Sequence, residues 1–580
     1  MIRIRFIFIL LSYLPCPLLF SQQEVRKVFT TTPTYDEIIL TYTGFSKENP
    51  STRLLTYGKT DVGKPLHLFV ISKDRIFDPV EIHKSGKIVL LINNGIHPGE
   101  PDGIDASIEL VKTFLAQPAL LPKDLVICIV PVYNVDGCLN RGNTSRVNQN
   151  GPEQYGFRGN AKNLDLNRDF IKCDAENTKT LEMMFQLWKP EVFVDTHVSD
   201  GADYQYVMTL ISTQRNKLDP VLSKYMVSDM LPALYKTMKE KKYEICPYVN
   251  ELGETPESGI AEFLETPRFS TGYAALFNTI GFVTETHMWK PYNDRVWATF
   301  EFLKALIDIT QKDAVKISKV RKEADDMVKN QNEFVLNWEL DTTKFEMIGF
   351  RGYTAKHKKS EFSDQQRLYY DRSAPFTKKI KFYPVYKPAE SVSKAAIYIV
   401  PQAWSEVVTR MKLNGVVMKQ LSKDTMMKVE MYYIDGYETG KNPYEGHYAH
   451  RDTRIRSEIQ QISFYKGDLV IATDQSCNRY IVETLEPQGD DSYFAWNFFD
   501  GILQQKEWFS DYIFEEKAAS ILASDPKLRS EFDEKMKDKE FANDHFSQLA
   551  FIYQHSIYHE RSQNRYPVAR LSEWIKLPVD

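Results

Sequence analysis

Between about residue 25 and residue 320, short apolar runs alternate with stretches of helical spacing, and this alternation restricts the fold more than any other feature. Residues 66–72, 87–93, 125–132, 191–197 and 280–285 are rich in β-branched and apolar side chains, several with no polar break, as strands buried on both faces require. Residues 104–115, 178–188 and most of 213–241 instead repeat their apolar positions at helical intervals. The pattern predicts an α/β sheet covered on both faces, where ligands gather beyond the strand ends. A long helical stretch over 297–328, increasingly charged toward its end, reads as the exit from a first domain. Beyond it, strands are expected at 378–386, 395–400, 428–433 and 468–473. Helices are expected at 404–413, 496–505, 510–522 and 528–541. The chain thus divides into 1–21, 22–328 and 329–580, the last a mixed α/β accessory domain.

The composition suits a large folded protein. Of 580 residues, 43% are hydrophobic, 13% aromatic and 26% charged, which excludes disorder, collagen and coiled-coil arrays. Charges nearly cancel, with 73 Lys and Arg against 78 Asp and Glu, so no overall field draws the chain to nucleic acid or to an anionic membrane. Arg3 and Arg5 precede an apolar run over residues 6–20, and Ser21-Gln22-Gln23 follows. This is the pattern of a secretory signal peptide over residues 1–21, short of the roughly 20 apolar residues of a comfortable membrane span. Its removal leaves an exported chain, periplasmic or extracellular, with no stable membrane span expected. Cys16, Cys128, Cys138, Cys173, Cys246 and Cys477 include no C-x-x-C pair, so thiolate metal sites and thioredoxin-like chemistry are not expected. One disulfide within the first half is left open.

The chemistry lies at the ends of the apolar runs. The strand at 87–93 leads into Asn94-Gly95-Ile96-His97-Pro98-Gly99-Glu100. An imidazole and a carboxylate three positions apart on a Gly/Pro loop can reach one cation such as Zn²⁺, although a capped strand turn explains the pair as well. The helical H-E-x-x-H pattern is absent. A second apolar strand ends in Asp195-Thr196-His197. If the two strands are parallel neighbours, His197 supplies a third ligand, and a His₂Glu set leaves one position open, as a catalytic zinc needs. The strand at 280–285 ends in Thr284-Glu285-Thr286-His287. A carboxylate closing a buried strand is normally paired, protonated or functional, whereas His287 is either a group behind the ligands or, as the preferred reading, simply exposed. The loop from Tyr155 to Phe170 carries Arg158, Asn167 and Arg168, and guanidinium forks beside an amide suit capture of a carboxylate. An arginine–aspartate network through Asp165 and Asp169 is the alternative there.

Taken in order along about 300 residues, His-Pro-Gly-Glu, Asp-Leu-Asn-Arg-Asp-Phe, Asp-Thr-His and Thr-Glu-Thr resemble the zinc carboxypeptidases of the carboxypeptidase A/B type. The resemblance implies an α/β/α sandwich around a mixed, roughly eight-stranded sheet, with residues 22–328 as the catalytic domain. It implies one Zn²⁺ per chain on His97, Glu100 and His197, with Glu285 as general base. It also implies that Arg158 polarises the scissile carbonyl and that Asn167 and Arg168 hold the terminal carboxylate. The implied activity is that of an exported zinc-dependent carboxypeptidase acting on a peptide or peptide-like substrate with a free C-terminus, peptidoglycan-derived peptides being one variant. Nucleic acid is not an expected partner. A deacylase of N-acyl amino acids and a non-catalytic binding protein on the same fold are the alternatives.

Some positions depart from the family pattern. Arg146 lies on the same loop and competes with Arg158, which is preferred for its spacing to Asn167 and Arg168. The nearest upstream tyrosine, Tyr273, stands only 12 positions before Glu285 and is left out of the catalytic set. Val198-Ser199 follows His197 where Ser-Tyr is often found. Ser270 lies in the expected pocket-floor region, but basic against apolar preference stays open. Residues 490–500 are dense in aromatics and read as core, and the loop at 444–450 has no derivable role.

Overall fold

The run from Ile88 to Asn93 has every residue buried, and so have Leu125–Val130 and Val192–Ser199. Strands buried on both faces need cover on both faces. The computed structural model, which describes residues 26–580, has that layering. The strands β1 (Thr52–Lys59), β2 (Pro65–Ile71), β3 (Ile88–Asn93), β4 (Leu125–Val130), β5 (Val192–Ser199), β6 (Met208–Ser212), β7 (Cys246–Pro247) and β8 (Ile280–His287) form one sheet in the order β1-β2-β4-β3-β5-β8-β6-β7. The sheet is mixed. β4, β3, β5 and β8 run parallel, while β2 pairs antiparallel with β4 and β6 antiparallel with β8. The α/β/α sandwich expected from the sequence is the architecture of this half.

Register decides what meets at the sheet edge. Asn93 of β3 pairs with Asp195 of β5, and His197 of β5 pairs with Glu285 of β8. The C-terminal ends of three adjacent parallel strands therefore deliver His97 and Glu100 (from the loop after β3), His197 and Glu285 to one place. Helix α1 (Asp102–Ala116) begins directly after that loop and lies against α4 (Tyr292–Lys312), counting α2 (Glu176–Trp188) and α3 (Ser270–Ala275) between them. Asp102, at the start of α1, accepts a hydrogen bond from the Thr286 hydroxyl of β8 and sits 3.3 Å from Arg295 Nε of α4, all three buried. The Thr286 hydrogen bond ties the helix end to the strand that carries Glu285, and the ion pair with Arg295 ties it to α4.

Beyond Asn330 the chain forms further sheets. The largest has six strands, including Ile397–Val400, Thr425–Thr439, His450–Phe464 and Leu469–Ala472. A continuous apolar core links both halves, since Tyr398, Ile481, Tyr493, Phe494, Trp496 and Phe499 belong to the same buried cluster as the strands of the first sheet. The aromatic segment at 490–500 is thus core, as its composition suggests.

Several elements differ from the sequence expectation. The long helix at 297–328 is two, Tyr292–Lys312 and Ala314–Asn330, broken where Asp313 leaves helical backbone at φ −102° and ψ 13°. Residues 496–505 form turns and the short Asp500–Leu503 helix instead of a regular helix, because burying Trp496 and Phe499 completely outweighs helical spacing. The long strands Glu346–Lys359 and His450–Phe464, and all of Gln366–Tyr383 before residue 378, escaped the sequence expectation because about half or more of their residues are exposed and carry no strong period-2 apolar signal. Cys128, Cys138, Cys173, Cys246 and Cys477 are all free and buried, so the disulfide left open is not formed among the described residues. The proposed signal segment at residues 1–21 lies outside the described residues. Among the described residues no helix is long and apolar enough to cross a membrane.

Close approach of α1 to β5 depends on Gly103. A Cβ there would meet the Thr196 hydroxyl at 2.0 Å and Asn94 Oδ1 at 2.5 Å. Gly103→Ala is expected to push the helix from the strand bearing His197 and to cost about 1–3 kcal/mol as overpacking does. The loss should appear as a lower urea midpoint, and an unchanged midpoint would show that the helix has room to spare.

Candidate metal centre and substrate cleft

His97, Glu100 and His197 are each at most 5% exposed, and one ligand atom from each lies within 4.8 Å of the others. His97 Nδ1 stands 3.2 Å from Glu100 Oε1, and His197 Nδ1 stands 3.3 Å from Glu100 Oε2. The opposite ring nitrogens are taken. His97 Nε2 bonds Asp165 Oδ1 at 2.9 Å, and His197 Nε2 bonds Asp195 Oδ2 at 2.9 Å. A carboxylate on Nε2 keeps the proton there and leaves the Nδ1 lone pair facing inward, the arrangement that orients histidine ligands in metal sites. His97 Nδ1 is buried without a hydrogen-bond partner, so the site holds a polar atom that nothing in the described protein satisfies.

The electrostatics favour a cation as well. Burial alone would raise the Glu100 carboxyl, but the His97 and Arg146 charges hold it well below the ordinary range. Burial would discharge His197, yet Asp195 and Glu100 keep its imidazole far above the usual value. Glu285 moves the other way. Burial pushes its carboxyl up to about 8, His197 opposes this, and the nearby Glu100 and Glu265 add to it. A divalent ion on the two imidazoles and Glu100 would answer this excess of negative charge. The donor set and the orphaned Nδ1 fit a Zn²⁺ with one position left open.

These groups open onto a cavity of about 460 Å³ that Arg146, Arg158, Asn167, Arg168 and Glu285 also line. Arg158 Nε donates to Asp165 Oδ2 at 2.9 Å, and its Nη1 lies 3.6 Å from Glu100 Oε1. Arg146 reaches the cleft too, donating from Nη1 to Glu100 Oε1 at 3.0 Å across Gly99, where a Cβ would strike its Cδ at 2.7 Å. Both arginines weighed from the sequence are therefore beside the ligands. The Arg168 guanidinium lies 4.4 Å over the Phe269 ring, and Asn167 Oδ1 accepts from the Ser270 amide at 3.2 Å.

The remaining sequence candidates are elsewhere. Tyr273 is buried in α3, with its hydroxyl donating to Asn414 Oδ1 at 2.6 Å, and it does not line the cleft. Ser270 is fully buried off the cavity wall. His287, expected to be exposed, is instead buried, where it bonds the Ala202 carbonyl at 3.0 Å and accepts from the Trp289 amide. Tyr248 and Glu265 are among the cleft residues that escaped the sequence reading. Burial and the Glu285 carboxylate push the Tyr248 phenol up. Neither residue sits in a recognisable motif, and nothing local betrays that the segment after β7 folds back over the strand ends. A larger cavity of about 940 Å³ at Leu218, Met327 and Phe334 carries none of the metal-site groups.

The second half of the chain touches the site. Glu445 Oε2 accepts from the Asp165 amide at 2.7 Å, and His447 Nε2 bonds Asp174 Oδ2 at 2.8 Å. The loop with no role legible in sequence thus buttresses the carboxylate that orients His97.

The chain is also similar to known proteins. Residues 41–244 match the family described as zinc carboxypeptidase, a span that includes both imidazoles, Glu100, Arg158, Asn167 and Arg168. Carboxypeptidase 2 of Trichophyton tonsurans is 21% identical over 516 residues, covering 83% of this chain and 88% of the relative. Probable carboxypeptidase 2 of Trichophyton verrucosum is 26% identical over 197 residues, covering 32% and 34%. Among solved structures, a metallo-carboxypeptidase from Burkholderia cenocepacia aligns with a TM-score of 0.36 at 16% identity, covering 48% of this chain and 70% of its own.

Asp165→Asn keeps an acceptor for His97 but removes the charge. Zinc affinity is expected to fall about 10–100-fold, as for other partners of ligating histidines. Competition with a chelator measures it, and unaltered affinity would remove Asp165 from this role.

Proposed function

We propose, from the match of residues 41–244 to the zinc carboxypeptidase family, that this chain is an exported, zinc-dependent carboxypeptidase that hydrolyses C-terminal peptide bonds. The observation that carries this reading is the convergence of two imidazoles, each fixed through Nε2 by an aspartate, on one buried glutamate beside a cleft lined by Arg168 and Glu285.

His97, Glu100 and His197 would hold the zinc. When bound, the ion supplies Lewis acidity, polarising a carbonyl and lowering the pKa of water toward about 7. Arg168 and the free amide nitrogen of Asn167 meet the terminal carboxylate, a fork and an amide against two oxygens. That contact fixes which bond lies over the ligands, and fixing it removes much of the entropic barrier. Glu285 takes a proton from the attacking water and returns it to the leaving nitrogen. Water is thereby added across the C–N bond, yielding a shortened peptide with a new carboxylate and one free amino acid. Arg158 faces the negative charge that develops on the carbonyl oxygen, and loss of one such donor typically costs about 10²–10³ in rate. Arg146, bonded to Glu100, holds that ligand's carboxylate in place.

We further propose the division of labour expected from the sequence, with residues 22–328 catalytic and 329–580 accessory, and removal of residues 1–21 on export. The contact of Glu445 with Asp165 supports an accessory half that steadies the metal site.

Glu285→Gln is expected to retain zinc and to lose about 10²–10⁴ of kcat. Metal analysis and peptide hydrolysis on the same sample check this, and near-normal turnover would remove Glu285 as the base. Chelation should abolish activity and added zinc restore it. Amidating the substrate's C-terminus should abolish cleavage, and indifference to amidation would mean that Arg168 reads no carboxylate and would favour a deacylase.

A further inference from the structure

Glu265 is a carboxylate in the cleft that the proposed reaction leaves unused. It is 3% exposed and lines the same cavity as His97, Arg168 and Glu285. Its Oε2 accepts from the amide of Thr271, at 2.8 Å, and from the Thr271 hydroxyl. Its Oε1 accepts no hydrogen bond, and no cation lies within ion-pair distance of it, among the described residues. The nearby buried Lys217 spends its ammonium on the Glu265 main-chain carbonyl, at 2.9 Å, not on the carboxylate. Glu265 Oε1 is not one of the fully enclosed atoms left without a partner, so this oxygen stays open to the cavity, where an arriving cation can pair with it.

Its neighbours describe that cation's carrier. Arg168, the residue proposed to hold the substrate's terminal carboxylate, lies on the ring of Phe269, and Phe269 and Phe263 flank Glu265 on one short segment. An amino acid anchored by its carboxylate at Arg168 therefore has this wall within reach of its side chain. Ile211, Tyr248, Phe263 and Phe269 give the wall an apolar and aromatic surface, and Glu265 adds one buried negative charge. Apolar walls with a single acid suit a side chain with a hydrocarbon stem and a cationic head.

Building on the carboxypeptidase reading, we propose that Glu265 selects the leaving residue, and that the substrates end in lysine or arginine. The α-carboxylate sits on Arg168, the aliphatic stem lies along Phe263 and Phe269, and the ammonium or guanidinium pairs with Glu265 Oε1. The two arginines at the ligands do not compete for this acid, because Arg146 is bonded to Glu100 and Arg158 to Asp165. Burial, only partly offset by the Thr271 hydrogen bonds, raises the Glu265 carboxyl above its ordinary range in the free protein, and an incoming cation would draw it back toward ionisation.

The test uses the zinc-loaded full chain and peptides that differ only in their last residue, ending in Lys, Arg, Phe, Leu or Glu. Lys and Arg termini should exceed Phe and Leu in kcat/KM by about 10²-fold, the size expected when a buried polar group is met or left unpaired. Glu265→Gln keeps the volume and an acceptor for Thr271, so it should retain zinc while the Lys-to-Leu ratio falls by that factor. Free lysine should inhibit the wild-type protein more tightly than norleucine, the same chain without its ammonium, a comparison that needs no variant to fold. Equal or better cleavage of Phe and Leu termini, an unchanged ratio in Glu265→Gln, or equal inhibition by lysine and norleucine would each overturn the assignment and leave the carboxypeptidase reading standing. Failure to cleave any free C-terminus, or indifference to amidation, would overturn the carboxypeptidase reading itself, and this one with it.

Discussion

The site exists because three neighbouring parallel strands, β3, β5 and β8, end at the same edge of the sheet. Hydrogen-bond register is strict once both faces are buried, since a slip of one residue would turn every inward side chain outward. The pairing of His197 with Glu285 is therefore fixed by the packing of Val194, Phe282 and their neighbours as much as by anything at the edge itself. Polar groups can gather there because the strands behind them bury enough apolar surface to tolerate the cost.

That cost is visible in the charges. The buried Glu100 and Asp195 and the partly exposed Asp165 and Glu285 crowd around two imidazoles at the head of the cleft. Carboxylates so close, in low dielectric, repel one another unless positive charge lies between them. Arg146 and Arg158 supply part of it from the loop between β4 and β5, and a divalent ion would supply the rest. The same arrangement that makes the site expensive makes it selective for a cation, and the aspartates behind the histidines decide which ring nitrogen faces it.

The C-terminal half shares the apolar core of the first and reaches the centre through one loop. Glu445 holds the main-chain amide of Asp165, and His447 pairs with Asp174, which also meets Arg410 at 2.9 Å. Tyr444 stacks on Trp496, and Arg268 lies 4.8 Å over that indole, so aromatic packing anchors the loop that buttresses Asp165. A segment 280 positions away in sequence thus stands behind a residue that orients His97.

Residue order alone determined the strand and helix alternation of the first half, the spacing of His97 and Glu100, and the strand-end positions of His197 and Glu285. Those signals are local, because hydrophobic period and turn chemistry act over a few residues. The Tyr155–Phe170 loop likewise carried Arg158, Asn167 and Arg168 openly. Tertiary structure alone decided that Tyr273 is buried while Tyr248 and Glu265 face the cleft, that Asp165 and Asp195 hold the two imidazoles, and that Glu445 supports the first of these. It also decided the long, largely exposed hairpins of the second half, whose strands show little apolar alternation. Each of these depends on contacts between segments distant in sequence, formed only after the core has closed, and no local pattern of residues encodes such a meeting in advance.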